Sequence, residues 1–233
     1  MDNLTKLIIL SKAEQYLKEN PERFDNSEKV LFKSHLDAYL ANKNCNIILD
    51  EVYDFLIYYN LINNQSRHIE FAKYLLKKYS PSSHHKILDV GAGRLCHLSK
   101  RLAKNNFQVT AIDPKIKLTQ QEVENNKIYQ AIIDNFYCDE YAPKNNIGTN
   151  ITDYDLLVAL APCDATEHII RQCLRYKKKF EIVPCAQNHQ TLEKPQKPIK
   201  TFEDWYKYLE SISKDISIKK TNGLYIATNN PTL

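Results

Sequence analysis

Residues 86–114 constrain this chain more than any other stretch. They read KILDVGAGRLCHLSKRLAKNNFQVTAIDP. A short apolar run, Ile87, Leu88 and Val90, carries one acid, Asp89, and ends in the turn Gly91-Ala92-Gly93. Leu95, Leu98, Leu102 and Ala103 then recur at helical spacing, with Lys100, Arg101 and Lys104 on the other side. A β-branched run from Val109 to Ile112 ends in a second acid, Asp113. Strand, glycine turn, helix, strand, acid is half of a nucleotide-binding α/β unit.

Glycines at a strand end let the backbone approach a ligand where a Cβ would clash. The following helix points its free N–H groups at the same place. An acid about twenty residues on can accept both hydroxyls of a ribose. The third glycine of the dinucleotide fingerprint is missing, because Leu95 and Cys96 stand where it would fall, and no Walker lysine pattern occurs. A nucleoside ligand without phosphates is therefore favoured over a pyrophosphate. The alternative is a turn whose glycines serve chain geometry alone.

This stretch resembles the first motif of the class I S-adenosylmethionine (SAM)-dependent methyltransferases, acid-x-Gly-x-Gly, on Asp89, Gly91 and Gly93, with Asp113 as the ribose acid. The resemblance implies an α/β fold: a seven-stranded, mostly parallel Rossmann-like sheet with a C-terminal antiparallel hairpin. It implies SAM as cofactor, S-adenosylhomocysteine as product, and transferase activity. Asp89, Gly91, Ala92, Gly93, Asp113 and Ala161 would contact the cofactor. The corner Asp134-Asn135-Phe136, after the third strand, would touch the adenine: the polar pair at the base edge, Phe136 against the ring. A plain turn with a buried Phe136 is the alternative.

At 233 residues the chain suits one domain with an extension. Residues 1–83 read as a helical N-terminal extension and 84–233 as the SAM-binding domain. In the extension, Leu4, Leu7, Ile8, Ala13 and Leu17 fall at helical spacing, Ser27 is a good N-cap, and further helices are expected over 47–61 and 66–79. Its tyrosines, Tyr53, Tyr58, Tyr59, Tyr74 and Tyr79, are either core or a lid that faces substrate. No apolar run is long enough to span a membrane, and residues 7–10 are too short for a secretory signal. Six cysteines without a CxxC pair read as reduced thiols of a cytoplasmic protein, with no metal site. The net charge of +4 permits nucleic-acid binding without arguing for it.

Beyond Asp113 a polar helix is expected to about Asn125, a strand near 128–133, and an exposed loop over 138–153. Residues 154–161, nearly all apolar, read as the central parallel strand. A helix to about Tyr176, a strand over 180–183 and a Thr201-capped helix follow. A hairpin turned at Asn222-Gly223, a strong two-residue turn signal, closes the sequence.

Two corners carry the remaining chemistry. After the central strand comes Pro162-Cys163-Asp164-Ala165-Thr166-Glu167, and after the next strand Pro184-Cys185-Ala186-Gln187. Pro162, Cys163 and Asp164 stand where the methyl acceptor belongs, and Asp164 could take or orient its proton. Asp164 and Glu167 also match a capping box, a role that could coexist with catalysis. Cys163 and Cys185 fall where RNA cytosine-5 methyltransferases carry a Pro-Cys and a nucleophilic cysteine, although Leu160 replaces the acid that family places two residues earlier. At a helix N-terminus Cys163 would have a lowered pKa; the alternative is two small cysteines that pack. The corners also partly resemble a methyltransferase-like group that includes tRNA 2′-O-methyltransferases. Departures there are the shift at Pro162, Glu167 for an Asp and Ala186 for a second cysteine. Lys194, Lys197 and Lys200 follow on the ligand side, as phosphate contacts or as a solvated face. The favoured acceptor is RNA, tRNA or rRNA. A small-molecule methyltransferase and a non-catalytic SAM-binding regulatory subunit are the other readings.

Overall fold

The computed structural model describes residues 67–144, 148–185, 191–221 and 223–229. The helices expected before residue 67, with Tyr53, Tyr58 and Tyr59, lie outside the described residues. The chain divides into two compact units, and the sheet belongs to Arg67–Leu233. Helix α1 (Arg67–Lys78), read from sequence as part of the extension, is part of that unit. The order continues β1 (Lys86–Val90), α2 (His97–Lys104), β2 (Gln108–Ile112), α3 (Gln120–Asn125), β3 (Gln130–Ile132) and β4 (Leu156–Leu160). It ends α4 (Ala165–Arg175), β5 (Lys179–Val183), α5 (Phe202–Ser211), β6 (Ile216–Thr221) and β7 (Leu224–Asn229).

The seven strands form one sheet in the order β3-β2-β1-β4-β5-β7-β6. The first five pair in parallel, while β7 runs antiparallel to both β5 and β6. This is the expected Rossmann-like sheet with its closing hairpin.

The period of two along each strand explains the two-sided core. On β1, Ile87 packs with Phe71, Leu75, Leu98 and Leu102 from α1 and α2. Its neighbours Leu88 and Val90 pack the other way, with Ile169, Ile170, Trp205 and Leu209 from α4 and α5. Helices on both faces leave β4 no polar side, so Leu156, Leu157, Val158, Ala159 and Leu160 are all buried.

Two carboxylates break this pattern, both toward the α1 and α2 face. One is Asp89 on β1; the other is Glu181 on β5, which is fully buried. Tyr79 Oη (2.6 Å), Lys78 Nζ (2.6 Å), Tyr74 Oη (2.9 Å) and Thr228 Oγ1 (3.0 Å) all donate to Glu181. Two of the tyrosines read as core or lid, Tyr74 and Tyr79, therefore anchor α1 to the sheet. Burial and the adjacent Glu181 carboxylate push the Tyr79 hydroxyl above its ordinary pKa.

Of the loop expected to be exposed over 138–153, the described residues 138–144 and 148–153 are instead docked on α4. Asp139 accepts from Gln172 Nε2 (2.7 Å) and Tyr176 Oη (2.6 Å), and Ile151 is fully buried. The path explains it: this connection returns from edge strand β3 past β2 and β1 to β4, and covers the sheet as it goes. The polar helix expected directly after Pro114 starts only at Gln120, where Thr119 and Glu122 form a reciprocal capping box. Thr201 and Asp204 make the same device at the start of α5.

Candidate functional site

The carboxyl ends of β1, β2 and β4 bring together three of the corners singled out in the sequence. At the end of β1 the chain turns with positive φ at Gly91 (+68°) and Gly93 (+71°). The two glycines are required for different reasons. A Cβ on Gly91 would sit 2.9 Å from both Cα and Cβ of Pro162, whereas a Cβ on Gly93 would meet nothing within 4 Å. Gly91 is thus a place of close approach between two corners of the protein, and Gly93 needs only its dihedral.

The N–H groups of the turn are committed internally. Those of Gly91 (2.9 Å) and Ala92 (3.3 Å) donate to the Ile112 carbonyl. That of Gly93 donates to Asp113 Oδ2 (3.0 Å). The Lys115 N–H donates to Asp113 Oδ1 (2.7 Å), so the carboxylate at the end of β2 is locked against the glycine turn. An ionised carboxylate has about four lone-pair sites. Half of them stay available beyond these two bonds.

Asp89 lies beneath the turn, 1% exposed, and accepts from Ser99 Oγ at 2.5 Å. Burial raises its carboxyl to about pH 7; the Ser99 hydrogen bond and the charge of His68 pull the other way. Its role is to tie the β1 end to α2 rather than to present oxygen at the surface. The sequence reading missed Ser99. Its signal is a hydroxyl inside the apolar stripe Leu95, Leu98, Leu102, where a side chain with no partner would be costly.

At the β3 corner, Asp134 and Asn135 are exposed, and Asp134 Oδ1 accepts from the Asn135 N–H (2.7 Å). Phe136 is only 5% exposed and packs in the core with Leu88, Val90 and Ile112. The ring expected at the adenine instead fixes the corner from below.

The β4 corner departs furthest from expectation. Ala161 (+52°) and Cys163 (+42°) both take positive φ without being glycine, and the Ala161 N–H donates to the Val183 carbonyl (2.8 Å). Pro162 is buried against Gly91 rather than open to an acceptor. The Asp164–Glu167 capping box does not form. Asp164 has helical dihedrals (φ −66°, ψ −20°) and makes no side-chain cap bond, because the twisted corner has begun the helix before it. Its carboxylate is left exposed beside Cys163. Glu167 instead turns fully into the protein. It accepts from Arg171 Nε (2.7 Å), both oxygens from Tyr208 Oη (3.0 Å), and from the Leu192 N–H (2.8 Å). These bonds hold residues 191–193, which follow the β5 corner, against α4 and α5. Burial and Glu167 push the Tyr208 hydroxyl up to about 12.

Cys163 is exposed, and its Sγ lies 3.6 Å from that of buried Cys185. The two Pro-Cys corners do meet. The lowered pKa expected at a helix N-terminus is overturned: the neighbouring Cys185 thiol and burial raise the Cys163 thiol well above its ordinary value. Lys194, Lys197 and Lys200 are exposed on the segment leaving the β5 corner. Lys178, in contrast, reaches the Thr152 (2.5 Å) and Tyr154 (2.8 Å) carbonyls at the opposite end of the strands. Among the described residues no group of three metal-ligating side chains occurs, and no helix is long and apolar enough to cross a membrane.

No protein-family model matches the chain, and no curated protein matches it. Among solved structures it is similar to a SAM-dependent methyltransferase from Aquifex aeolicus, at 15% identity over 74% of this chain and 96% of that one, with a TM-score of 0.44. It is similar to the T. thermophilus 16S rRNA N2 G1207 methyltransferase in complex with AdoMet and guanosine (14% identity, 73% and 44% covered, TM-score 0.45). It is also similar to human N-acetylserotonin methyltransferase in complex with SAM (13% identity, 69% and 52% covered, TM-score 0.36).

Proposed function

We propose that this protein binds SAM across the carboxyl ends of β1 and β2 and methylates RNA at the β4 corner. One observation carries the reading: the 3.0 Å bond from the Gly93 N–H to Asp113, which joins the glycine turn to the ribose acid as one rigid unit. The turn spends its N–H groups on Ile112 and Asp113, so it offers no cradle for a pyrophosphate. That suits a nucleoside without phosphates. The free lone pairs of Asp113 accept the ribose hydroxyls, and Asp134 and Asn135 meet the adenine edge. Gly91, Ala92 and Ala161 line the approach, while Asp89 and Phe136 hold the two corners from beneath.

When bound, the cofactor supplies an electrophilic methyl group on a sulfonium. The protein then has to orient a nucleophile in line and exclude water. Asp164, exposed and free of its helix, takes the proton of an attacking hydroxyl or amine. Pro162 sets the position of this corner through its packing on Gly91, and Cys163 borders the acceptor as a neutral thiol. Lys194, Lys197 and Lys200 give the segment after β5 a positive edge for phosphates. That edge favours RNA over a small neutral acceptor.

Thermal unfolding with S-adenosylhomocysteine tests the cofactor. Ligand at about a hundred times its Kd stabilises the native state by roughly 2.7 kcal/mol. Asp113→Ala abolishes that shift while the chain stays folded. An unmoved midpoint at millimolar ligand would retire the cofactor site and favour a non-catalytic role. The acceptor is tested by incubating the protein with methyl-labelled SAM and total cellular RNA. Label in tRNA or rRNA, lost in Asp164→Asn, is the expected result. Label confined to the small-molecule fraction would replace RNA as acceptor.

A further inference from the structure

The Cys163 and Cys185 thiols come from two different corners, after β4 and after β5, yet their sulfurs are 3.6 Å apart. Methyl transfer to a hydroxyl or an amine with Asp164 as the proton acceptor uses neither sulfur. A disulfide needs its sulfurs at about 2.05 Å, so side-chain rotation has to close roughly 1.5 Å. The two differ in access: Cys163 is exposed, and Cys185 is 7% exposed. Cys96, Cys138 and Cys173 are 2% exposed or less. Among the described cysteines, then, one thiol is open to solvent and has a second sulfur beside it.

We propose that Cys163 and Cys185 are a site of reversible oxidation, closing to a disulfide that pins the start of α4 to the end of β5. The oxidant is a hydroperoxide. The Cys163 thiolate attacks the outer peroxide oxygen; the O–O bond breaks, the alcohol or water leaves, and Cys163 becomes a sulfenic acid. The Cys185 sulfur then attacks the Cys163 sulfur, the S–O bond breaks, and water carries away the hydroxyl and the Cys185 proton. Two thiols and one hydroperoxide give one disulfide, one alcohol and one water. The high thiol pKa sets the rate: only the thiolate attacks, so closure speeds up as pH rises above neutral. At neutral pH the pair is a slow responder to strong oxidant, and a dithiol reverses it.

The consequence for turnover rests on the proposed function. Because Cys163 borders the acceptor and not the ribose acid, the disulfide stops methyl transfer and leaves cofactor binding intact.

The test is to treat the full chain with hydrogen peroxide and map its unreduced tryptic peptides by mass spectrometry. The expected product links the peptide containing Cys163 to the one containing Cys185. It forms faster at pH 9 than at pH 7, and dithiothreitol removes it. In Cys185→Ser, Cys163 stops at a sulfenic acid that dimedone traps. Oxidation of Cys163 to sulfinic acid with no link to Cys185 in the wild type would overturn the proposal, as would linkage of Cys163 to another cysteine. Methyl transfer is then measured before and after reduction. If the disulfide forms but the reduced protein has no transferase activity, the functional reading fails and the oxidation site stands. If the oxidised protein transfers methyl groups as well as the reduced one, the gating consequence fails.

Discussion

Asp89 and Glu181 are both carboxylic acids on parallel strands, both essentially buried, and both face α1 and α2. Their surroundings differ. Glu181 receives four hydrogen bonds from two helical tyrosines, a lysine and a threonine. Among the described residues Asp89 accepts only from Ser99, from its hydroxyl and its backbone N–H. The first is a fastener: charge brought inside and saturated with donors so that α1 is bound to the sheet. The second is left under-solvated beneath the glycine turn, and its carboxyl titrates near neutrality as a result. A saturated acid marks where the fold is held; a starved one marks where the fold carries a cost beside a site.

Glu181→Ala should produce the largest effect. It strips the acceptor from Tyr79 and Tyr74 and leaves Lys78 to solvent. A loss of about 3–5 kcal/mol in denaturant unfolding is expected. A loss below about 1 kcal/mol would mean that Glu181 fastens nothing.

Asp89 gives the next largest effect, and its sign is opposite to that of a paired surface acid. The folded carboxyl titrates near 7 against an ordinary 3.8. Between those values the folded chain holds a proton that the unfolded chain has released. Stability therefore falls as pH rises from about 4 to about 7, by up to roughly 1.4 kcal/mol per unit from this group. Asp89→Asn keeps an acceptor for Ser99 and removes the titration. It should match wild type at pH 5, exceed it at pH 8 by about 2 kcal/mol or more, and flatten the stability profile between. A variant profile parallel to wild type would show that the Asp89 carboxyl does not titrate differently in the folded and unfolded chains.

Ser99→Ala should cost about 1.5 kcal/mol near pH 8, because it removes the hydroxyl donor to the ionised acid, and should move the end of the pH slope upward. Tyr74→Phe should be the mildest, about 0.5–1 kcal/mol, since Glu181 keeps three other donors. If Tyr74→Phe cost as much as Ser99→Ala, the saturated and starved sites would not differ as their bond counts imply.

What could be read from the sequence follows the same division. The strands, the hairpin and the Thr201 cap were legible because periodicity and turn chemistry are local. The capping boxes show where local signals stop. Thr201 with Asp204 and Asp164 with Glu167 present the same spacing, and only the first forms. A cap needs an extended residue before the helix, and the positive dihedrals at Ala161 and Cys163 remove it. Those dihedrals come from packing against β1 and β5, which no window of sequence contains. Glu167 was free to turn inward, and its partners Tyr208 and Leu192 lie far along the chain. In the same way, the pairing of Cys163 with Cys185 and the docking of residues 138–144 and 148–153 depend on strand order, not on spacing.

The contact between Gly91 and Pro162 sets the order in which this corner can drift over evolution. Position 91 is almost frozen, since any side chain must defeat both a left-handed dihedral and a neighbour at 2.9 Å. Position 162 is freer, because Pro162 carries no left-handed dihedral, although its packing on Gly91 is lost if it is trimmed. A lineage or a designer that reshapes this corner therefore alters 162 first. The glycine outlasts such changes, and its persistence in a relative would testify to the fold before it testified to any activity.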